Sequence, residues 1–379
     1  MRTITIISNL FPTPWDPLRA SFNKQQFERL SEHYTINMVV PVPWYIFFRK
    51  KTSTSVSTLN TKYIPFFYIP GLLRFLNPIF LLISLIIGLF PYKGLIKSDL
   101  FLLSWAYPDA VAGTILAKLF NKKTIVKIHG SDINEFLIDT KKRIQIKWAL
   151  SRSHKIISVS QALINKLTQI GIPNTKTTCI YNGVNHEIFR PLDKSTCRTT
   201  LNINPINPAI LFIGNLKKAK GCIEFINAVS KIRQSGQDIS AYIIGSGSIH
   251  HELKELIHTN KATGYIHLIG PVSHELLPSW INACDIFCLP SYMEGVPNVV
   301  LEAISCGKPC VASNIGGIPE ILPESCGILI EAKNTTSLVS GIKQAIDTSW
   351  NATDIVEYSR LFNWDKNISQ LISTIEETL

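Results

Sequence analysis

The feature that most constrains the fold is the alternation, from Asp99 onward, of short apolar β-rich runs with helical stretches. This alternation predicts an α/β protein whose parallel sheets are covered by helices on both faces. The N-terminal segment Met1–Ile7 also alternates like a strand. The later predicted strands cover residues 99–104, 124–128, 155–159, 209–213, 239–244, 265–269, 285–289 and 309–312.

The length and composition are sufficient for two domains of ordinary size, because the chain has 379 residues and 46% of them are hydrophobic. The proline-rich stretch 189–208 has no clear period, so it is predicted to link two doubly wound sheets. Ligands of such sheets bind beyond the carboxyl ends of the strands. We therefore expect functional residues in the loops that follow the predicted strands.

Charge is distributed unevenly along the chain. Residues 1–190 carry 24 Lys/Arg against 9 Asp/Glu, whereas residues 191–379 carry 14 against 18. A basic N-terminal half suits an anionic membrane surface, a nucleic acid or a phosphorylated substrate, and charge alone does not choose between them. Nucleic acid is the least favoured, because the cations are spread over a doubly wound domain without a recognised binding module.

All eight cysteines lie between Cys179 and Cys326, and this placement is not that of a disulfide framework. Their spacing matches neither a zinc finger nor a redox motif, so they are predicted to be small core residues without a metal. The N-terminus lacks the long apolar run of a signal peptide. The sequence therefore predicts a cytoplasmic protein.

Two carboxylates, Glu294 and Glu302, lie eight residues apart across a loop and the start of a predicted helix. Pro297 suits the first helical position, because its missing N–H would have no partner there. In a continuous helix the pair would be about 12 Å apart at roughly 1.5 Å per residue, a plausible span for a ribose and a hexose joined by a diphosphate. The helix N-terminus would then face the phosphates. A bare glutamate pair more often flanks an ordinary surface turn, so the surrounding motifs decide.

Those motifs run in one order over most of the chain from about Asp99 onward. They are His129-Gly130-Ser131-Asp132, Asn182-Gly183-Val184-Asn185 with Phe189, Gly214 with Lys220-Gly221, Leu289-Pro290-Ser291, Glu294-Gly295, Glu302-Ala303, Cys306-Gly307-Lys308-Pro309, Gly316-Gly317 and Pro319-Glu320. The set resembles the signature of the retaining glycosyltransferases of family 4, the group 1 glycosyl transferases, and in particular those that build bacterial surface polysaccharides. The stretch 270–327 resembles the donor-binding part of that signature almost throughout.

The resemblance implies the GT-B fold, with two Rossmann-like doubly wound domains facing a central cleft. An N-terminal domain, 1–190, would bind the acceptor, and a C-terminal domain, 191–361, would bind the nucleotide sugar. A last helix within 362–379 would cross back to the first domain. The implied enzyme is a retaining hexosyltransferase that uses no metal and no cofactor apart from its nucleotide-diphosphate sugar donor.

The resemblance also implies roles for individual residues. The catalytic residues would be His129, Glu294 and Lys220. The donor-binding residues would be Gly214, Asn215, Lys220, Gly295, Val296 and Glu302, with Glu302 on the ribose hydroxyls. Arg19 and Asp132 would contact the acceptor, although Asp132 could instead orient its loop or cap the next helix. The favoured mechanism is same-face attack in which the leaving phosphate accepts the proton, and a covalent intermediate on Glu294 is the alternative.

Two positions depart from the commonest family pattern. Asn215 stands where many relatives carry an arginine that pairs with the diphosphate, and a neutral donor is weaker than a charged one. We therefore expect Lys220 to neutralise more of the leaving-group charge, with Lys217 and Lys218 as less certain neighbours. Ala20 stands in a loop where many relatives have glycine. The alanine methyl group restricts close approach to the backbone there.

The apolar run 79–90 is twelve residues long, whereas roughly twenty are needed to span a bilayer. It is therefore predicted not to cross a membrane. Together with the aromatic segments 44–51 and 63–74, it could insert apolar groups into one leaflet while neighbouring cations meet lipid headgroups. The alternative for this run is a plain buried core helix.

The acceptor favoured by basic charge beside apolar surface is a polyprenyl-diphosphate-linked saccharide, handled at the inner face of the plasma membrane. Two other functions remain open. A nucleotide-sugar epimerase on the same fold would also need cleft carboxylates and a diphosphate site. A catalytically silent nucleotide-sugar-binding subunit is the non-enzyme alternative, and the presence of His129, Lys220 and both glutamates weighs against it.

Overall fold

The computed structural model describes residues 1–17, 19–49, 57–69, 71–89 and 97–379. The chain forms two compact units, Met1–Gly183 with Trp364–Leu379, and Val184–Asn363. Their boundaries lie at 183/184 and 363/364, where the sequence predicts 190/191 and 361/362. Each unit has its own parallel sheet, so the predicted α/β class is confirmed.

The first unit contains a seven-stranded sheet of order β3-β2-β1-β4-β5-β6-β7, and all of its pairings are parallel. The order reverses between β1 and β4, which is the switch point where such sheets bind ligands. Its elements are β1 Thr3–Ile7, α1 Ser21–Leu30, β2 Thr35–Pro43, α2 Trp44–Arg49, β3 Asn60–Phe66, α3 Asn77–Leu89, β4 Leu100–Ser104, α4 Val111–Leu119, β5 Lys123–Ile128, α5 Ser131–Asn134, α6 Thr140–Arg152, β6 Lys155–Ser158, α7 Gln161–Gln169 and β7 Thr177–Cys179.

The second unit contains a six-stranded parallel sheet of order β10-β9-β8-β11-β12-β13. Its switch point lies between β8 and β11. Its elements are α8 Lys194–Thr200, β8 Ala209–Ile213, α9 Cys222–Gln234, β9 Ser240–Ile244, α10 His250–Thr259, β10 Ile266–Gly270, α11 Leu277–Ala283, β11 Ile286–Leu289, α12 Asn298–Ser305, β12 Cys310–Ser313, α13 Ile318–Ile321, β13 Gly327–Ile330, α14 Thr335–Asp347 and α15 Ala352–Ser359.

The last helix, α16 Trp364–Thr378, packs within the first unit. Its apolar face, with Leu371 and Ile375, joins the core cluster that contains Phe27 of α1. The buried amide of Asn367 accepts a hydrogen bond from Gln26 Nε2 at 2.6 Å. This helix therefore completes the core on one side of the first sheet.

The stretch 189–208, predicted to link the two sheets, contains α8, and the Asp193 carboxylate caps this helix by accepting from Thr196 N. One local prediction differs from the structure. Pro297 precedes the first residue of α12, since its ψ of 115° is extended. Seven of the eight cysteines are buried and unpaired, as predicted for core residues, and Cys179 is half-buried.

The apolar run 79–90 forms most of α3, but α3 is not the plain buried helix that was the alternative. Leu81, Ser84 and Leu85 face the core. The opposite face is exposed and consists of Ile79, Ile83, Ile86 and Ile87. Phe90 lies outside the described residues, as do Lys50, Lys51 and Pro70 of the aromatic segments. None of the described helices is both long and apolar enough to cross a membrane.

Candidate active site

The predicted site residues follow the carboxyl ends of the strands, as the sheet topology requires. His129 follows β5, Gly214 follows β8 and Glu294 lies in the loop after β11. In the second unit these loops pack backbone against backbone. A Cβ on Gly221, which has a φ of +70°, would lie 2.0 Å from the Pro290 carbonyl oxygen. The glycines of these loops therefore bring the strand ends of the switch point into contact.

Lys220 and Glu294 form an ion pair at this switch point. Lys220 Nζ lies 2.6 Å from Glu294 Oε1, although the residues are 74 positions apart. The lysine side chain is 29% exposed and the glutamate side chain 9%. The sequence assigned both residues to catalysis without predicting a contact between them. The structure pairs them with each other.

The loop after β12 supports Glu294 from the other side. Gly316 has a φ of +53°, and a Cβ there would lie 2.2 Å from the Glu294 carbonyl oxygen. Gly317 N donates to Gly295 O at 2.7 Å. This glycine pair therefore lies directly against the backbone of Glu294 and Gly295.

Glu302 lies in the body of α12 and has an unexpected partner. Its Oε1 lies 3.3 Å from His274 Nε2, and its Oε2 is buried without a hydrogen-bond partner among the described residues. The hydrogen bond to Glu302 raises the pKa of His274. The His274 ring packs edge-on against Phe189, with 5.0 Å between ring centroids. Sequence reasoning missed His274, because no spacing relates it to Glu302.

The remaining predicted donor residues lie close in sequence to Lys220 or to Glu294. Gly295 and Val296 are buried, Gly214 is half-buried and Asn215 is exposed. Lys218 turns away to form an exposed ion pair with Glu252 at 2.9 Å. Lys220 is therefore the cation of this loop that lies against a site carboxylate.

His129 lies in the first unit, between two aromatic rings. Its ring centroid is 5.5 Å from that of Phe22 and 6.0 Å from that of Trp105. Its Nε2 lies 2.8 Å from Ser104 Oγ, and its Nδ1 is buried with no partner in the described part of the chain. Burial and the positive charge of Lys127 hold the pKa of His129 well below its usual value. The imidazole is therefore neutral at neutral pH and can donate from one nitrogen and accept at the other.

Asp132 is fully buried and bonds to the backbone at His129. Its Oδ1 accepts from the backbone N–H groups of His129 and Gly130, and its Oδ2 accepts from Ala106 N. Burial raises the pKa of Asp132 to about 6. Because the side chain is fully buried and holds three backbone donors, the geometry favours a loop-orienting role over the acceptor contact predicted from the sequence. It does not cap α5, since the bonded N–H groups precede that helix.

Arg19 begins the segment before α1 and lines a cavity of the first unit. Ala20, in the loop where many relatives have glycine, adopts a left-handed conformation with a φ of 48°. Near Arg19, the buried Asp109 accepts from Asn9 N at 2.7 Å and from Asn9 Nδ2 at 3.0 Å. Burial raises the pKa of Asp109 to about 7, and the charge of Arg19 opposes that rise.

No cluster of three or more His, Cys, Asp or Glu side chains suited to a metal ion occurs in the described ranges.

Comparison with known proteins identifies the class to which this architecture belongs. Residues 193–362 match the family model described as Glycosyl transferases group 1, and residues 46–188 match the one described as Glycosyltransferase Family 4. The two matches together span most of the chain, and the protein belongs to this glycosyltransferase family. Its fold is GT-B.

Individual relatives agree with this assignment. The chain is 23% identical over 352 residues to the putative teichuronic acid biosynthesis glycosyltransferase TuaC of Bacillus subtilis, covering 89% of this chain and 87% of the relative. The sucrose-phosphate synthase of Thermosynechococcus elongatus has a TM-score of 0.84 at 19% identity, with 100% and 99% of the two chains covered. Anabaena HepE in complex with UDP-glucose has a TM-score of 0.77 at 18% identity and covers 100% of both chains.

Proposed function

We propose that this glycosyltransferase moves a hexosyl unit from a nucleotide-diphosphate sugar to an acceptor hydroxyl with retention of configuration. The observation that carries the proposal is the ion pair of Lys220 with Glu294 at the switch point of the second sheet, near the strand ends where such folds bind nucleotides. The UDP-glucose complex of the Anabaena protein supports a nucleotide-sugar donor.

On the donor side, the leaving diphosphate and the ribose would contact different residues. Lys220 neutralises the charge that develops on the leaving diphosphate, and Asn215 adds a neutral hydrogen bond. The buried Oε2 of Glu302 accepts from a ribose hydroxyl, while His274 holds Oε1. The donor would also contact Gly214, Gly295 and Val296. The two glycines have no side chain, and that of valine is short.

Transfer would proceed by same-face attack without a metal, with cationic help from the protein. The neutral His129 would contact the donor sugar, and the leaving phosphate would accept the proton from the acceptor hydroxyl. The pairing of Glu294 with Lys220 supports this mechanism over a covalent intermediate on Glu294, because a carboxylate held by an ammonium group at 2.6 Å is a weaker nucleophile.

The acceptor would be a polyprenyl-diphosphate-linked saccharide of bacterial surface polysaccharide synthesis, with Arg19 as a contact. The teichuronic acid relative supports the polysaccharide class. The enzyme would then be cytoplasmic and bound peripherally to the inner face of the plasma membrane. Support for this location comes from α3, where Ile79, Ile83, Ile86 and Ile87 are 42–63% exposed on one helical face. Contiguous apolar surface of this kind marks an interaction site.

The membrane proposal can be tested by vesicle flotation. Wild-type protein should float with vesicles of phosphatidylglycerol and phosphatidylcholine, and Ile83→Ser with Ile87→Ser should reduce the bound fraction several-fold at unchanged melting temperature. Ile206→Ser is the matched control, since Ile206 is 86% exposed in the second unit. Equal flotation of all three proteins would contradict the role of α3.

The proposed reaction can be tested by screening UDP-, GDP-, dTDP- and ADP-sugars for nucleoside diphosphate release in EDTA, with and without bacterial lipid extract. We expect release from one donor, increased by lipid and lost in Glu302→Ala. Release of a new free nucleotide sugar without any acceptor would instead support the epimerase. Donor binding without turnover under every condition would favour the silent subunit.

A further inference from the structure

The first unit contains a cavity of about 440 Å³ at its switch point, within the range of roughly 300–1,000 Å³ typical of small-molecule sites. Three cationic residues line it, namely Arg19, Arg74 and Lys142, and none of the described lining residues is a carboxylate. Like charges around one cavity repel each other. The cavity is therefore electrostatically suited to an anion.

The three cations differ in how firmly they are held. Lys142 is the most fixed, because its side chain is 15% exposed and its Nζ lies 5.1 Å from the centroid of the Phe136 ring. Its ion pair with Asp139 is long, at 3.7 Å, and that carboxylate is 44% exposed. Arg19 and Arg74 have no carboxylate within ion-pair distance in the described part of the chain. Two guanidinium groups thus remain available for bidentate contacts with a phosphate.

Aromatic side chains form much of the rest of the wall. They are Phe66, Tyr68, Trp105, Tyr107 and Phe136. Rings of this kind provide flat, rigid faces against which an apolar or ring-shaped group can pack at low entropic cost. The cavity therefore combines anion-binding groups with surfaces suited to a sugar ring or an isoprenoid unit.

The rim of the cavity continues into exposed apolar surface. Phe66 and Tyr68 line the cavity, while Phe67 and Ile69, which alternate with them, are exposed. Leu72 and Leu73 are also exposed and directly precede Arg74.

Arg74 itself starts the short turn 74–76 that leads into α3, and its carbonyl oxygen accepts from Tyr107 Oη at 2.6 Å. The backbone of Arg74 is thus anchored between the cavity and the exposed isoleucine face of α3. A ligand that carries a phosphate next to a long apolar chain would match this arrangement.

We propose that this cavity binds the phosphate-bearing headgroup of a lipid-linked acceptor, with Arg74 and Lys142 as specificity-determining contacts beside Arg19. The proposal rests on the proposed function, because it gives the acceptor its binding site. The phosphate contacts Arg19, Arg74 and Lys142, the adjoining groups pack on the aromatic wall, and the lipid chain leaves past Leu72 and Leu73 toward the exposed face of α3.

Direct binding to the full-length protein tests the proposal, with farnesyl diphosphate as the probe and calorimetry as the readout. Arg74→Gln and Lys142→Gln should each weaken binding about tenfold or more, since each removes a charged contact to phosphate. Arg143→Gln is the matched control. Arg143 is an exposed cation next to Lys142 on α6 and does not line the cavity, so its loss should change binding less than about twofold.

Three further ligands separate the sources of affinity. Farnesol should bind much more weakly than farnesyl diphosphate, and equal binding would remove the phosphate from the proposal. Inorganic pyrophosphate should also bind weakly, and affinity equal to that of farnesyl diphosphate would replace the lipid by a free phosphate ligand. UDP should bind equally to all variants.

The pattern of losses tells the two hypotheses apart. Intact UDP binding together with equal farnesyl diphosphate binding by Arg74→Gln, Lys142→Gln and Arg143→Gln would overturn the cavity proposal alone. Failure of the wild-type protein to bind any nucleotide diphosphate or nucleotide sugar would instead count against the proposed function.

Discussion

Replacing Lys220 by methionine should lower turnover far more than it lowers stability. In the unliganded protein Lys220 pairs with Glu294 at 2.6 Å, but its side chain is 29% exposed, so solvent screens the attraction. Exposed pairs contribute about 0.2–1 kcal/mol, and removing one partner of a buried pair costs about 3–5 kcal/mol. Because Glu294 is largely buried and Lys220 is not, we expect a loss of about 1–2 kcal/mol in the free energy of unfolding.

The effect on catalysis should be larger, because Lys220 would stabilise charge that exists only in the transition state. Removing one such preorganised group typically lowers kcat by about 10²–10³-fold. The Lys220→Met enzyme should therefore show kcat lower by this factor and a smaller change in KM. The assay is nucleoside diphosphate release with the accepted donor, alongside urea denaturation.

A double-mutant cycle with Glu294→Gln separates the two effects. The stability losses of the single variants should sum to more than that of the double variant by about 1 kcal/mol, since either change alone removes the same ion pair. Lys231→Met on α9 is the control, because Lys231 is an exposed lysine away from the site. A Lys220→Met enzyme with kcat within about threefold of wild type would refute the assignment of leaving-group stabilisation to this lysine.

Three other predictions follow from buried groups and backbone geometry. His274 donates to Glu302, and this hydrogen bond raises the pKa of His274. The stabilising contribution of the pair is therefore full below the unfolded pKa of about 6.5 and is lost as pH rises through the folded pKa. His274→Gln should lower the free energy of unfolding by about 1 kcal/mol at pH 5.5 and by less at pH 9, measured by urea denaturation. Gly221→Ala should lower the free energy of unfolding by at least about 2 kcal/mol, because the strain of a positive φ and a clash with a backbone carbonyl add together. Gly236→Ala is the control: its φ is +91° but the space around it is open, so this change should cost only about 1 kcal/mol. Burial lowers the pKa of Lys127 to about 7, so the unfolded chain binds this proton more tightly than the folded one. The free energy of unfolding should therefore rise between about pH 7 and pH 10, by up to roughly 4 kcal/mol. Lys127→Met should remove that rise, and a variant whose pH profile runs parallel to that of the wild type would contradict the buried lysine as its source.

Much of the fold could be predicted because the buried strands from Asp99 onward are short apolar runs bounded by turn residues. Strand β8, for example, is predicted and observed at Ala209–Ile213. Strands β2, β3, β7 and β13 were missed. Of these, β2 and β3 contain prolines, which argue against a strand. The prolines of β2 are tolerated because Pro41 and Pro43 lie beyond the residues that pair with β1.

The contacts within the candidate site could not be predicted from the sequence. Motif matches located Lys220, Glu294 and Glu302, yet the ion pair of Lys220 and the hydrogen bond of His274 to Glu302 depend on how loops from different strands meet. No local period encodes such contacts. The cation Arg74 likewise has no motif, and only the fold brings it to the cavity that Lys142 and Arg19 line.

The most direct test of the central claim is mass spectrometry of lipid-linked products. Purified enzyme is incubated with the donor that it accepts and with a bacterial membrane lipid extract, in EDTA, and the lipid fraction is analysed for species that have gained one hexosyl unit. The account predicts this gain with wild-type enzyme and its loss with Lys220→Met and Glu302→Ala. Donor consumption with no gain in any lipid or saccharide species, or a gain that both variants retain, would contradict it.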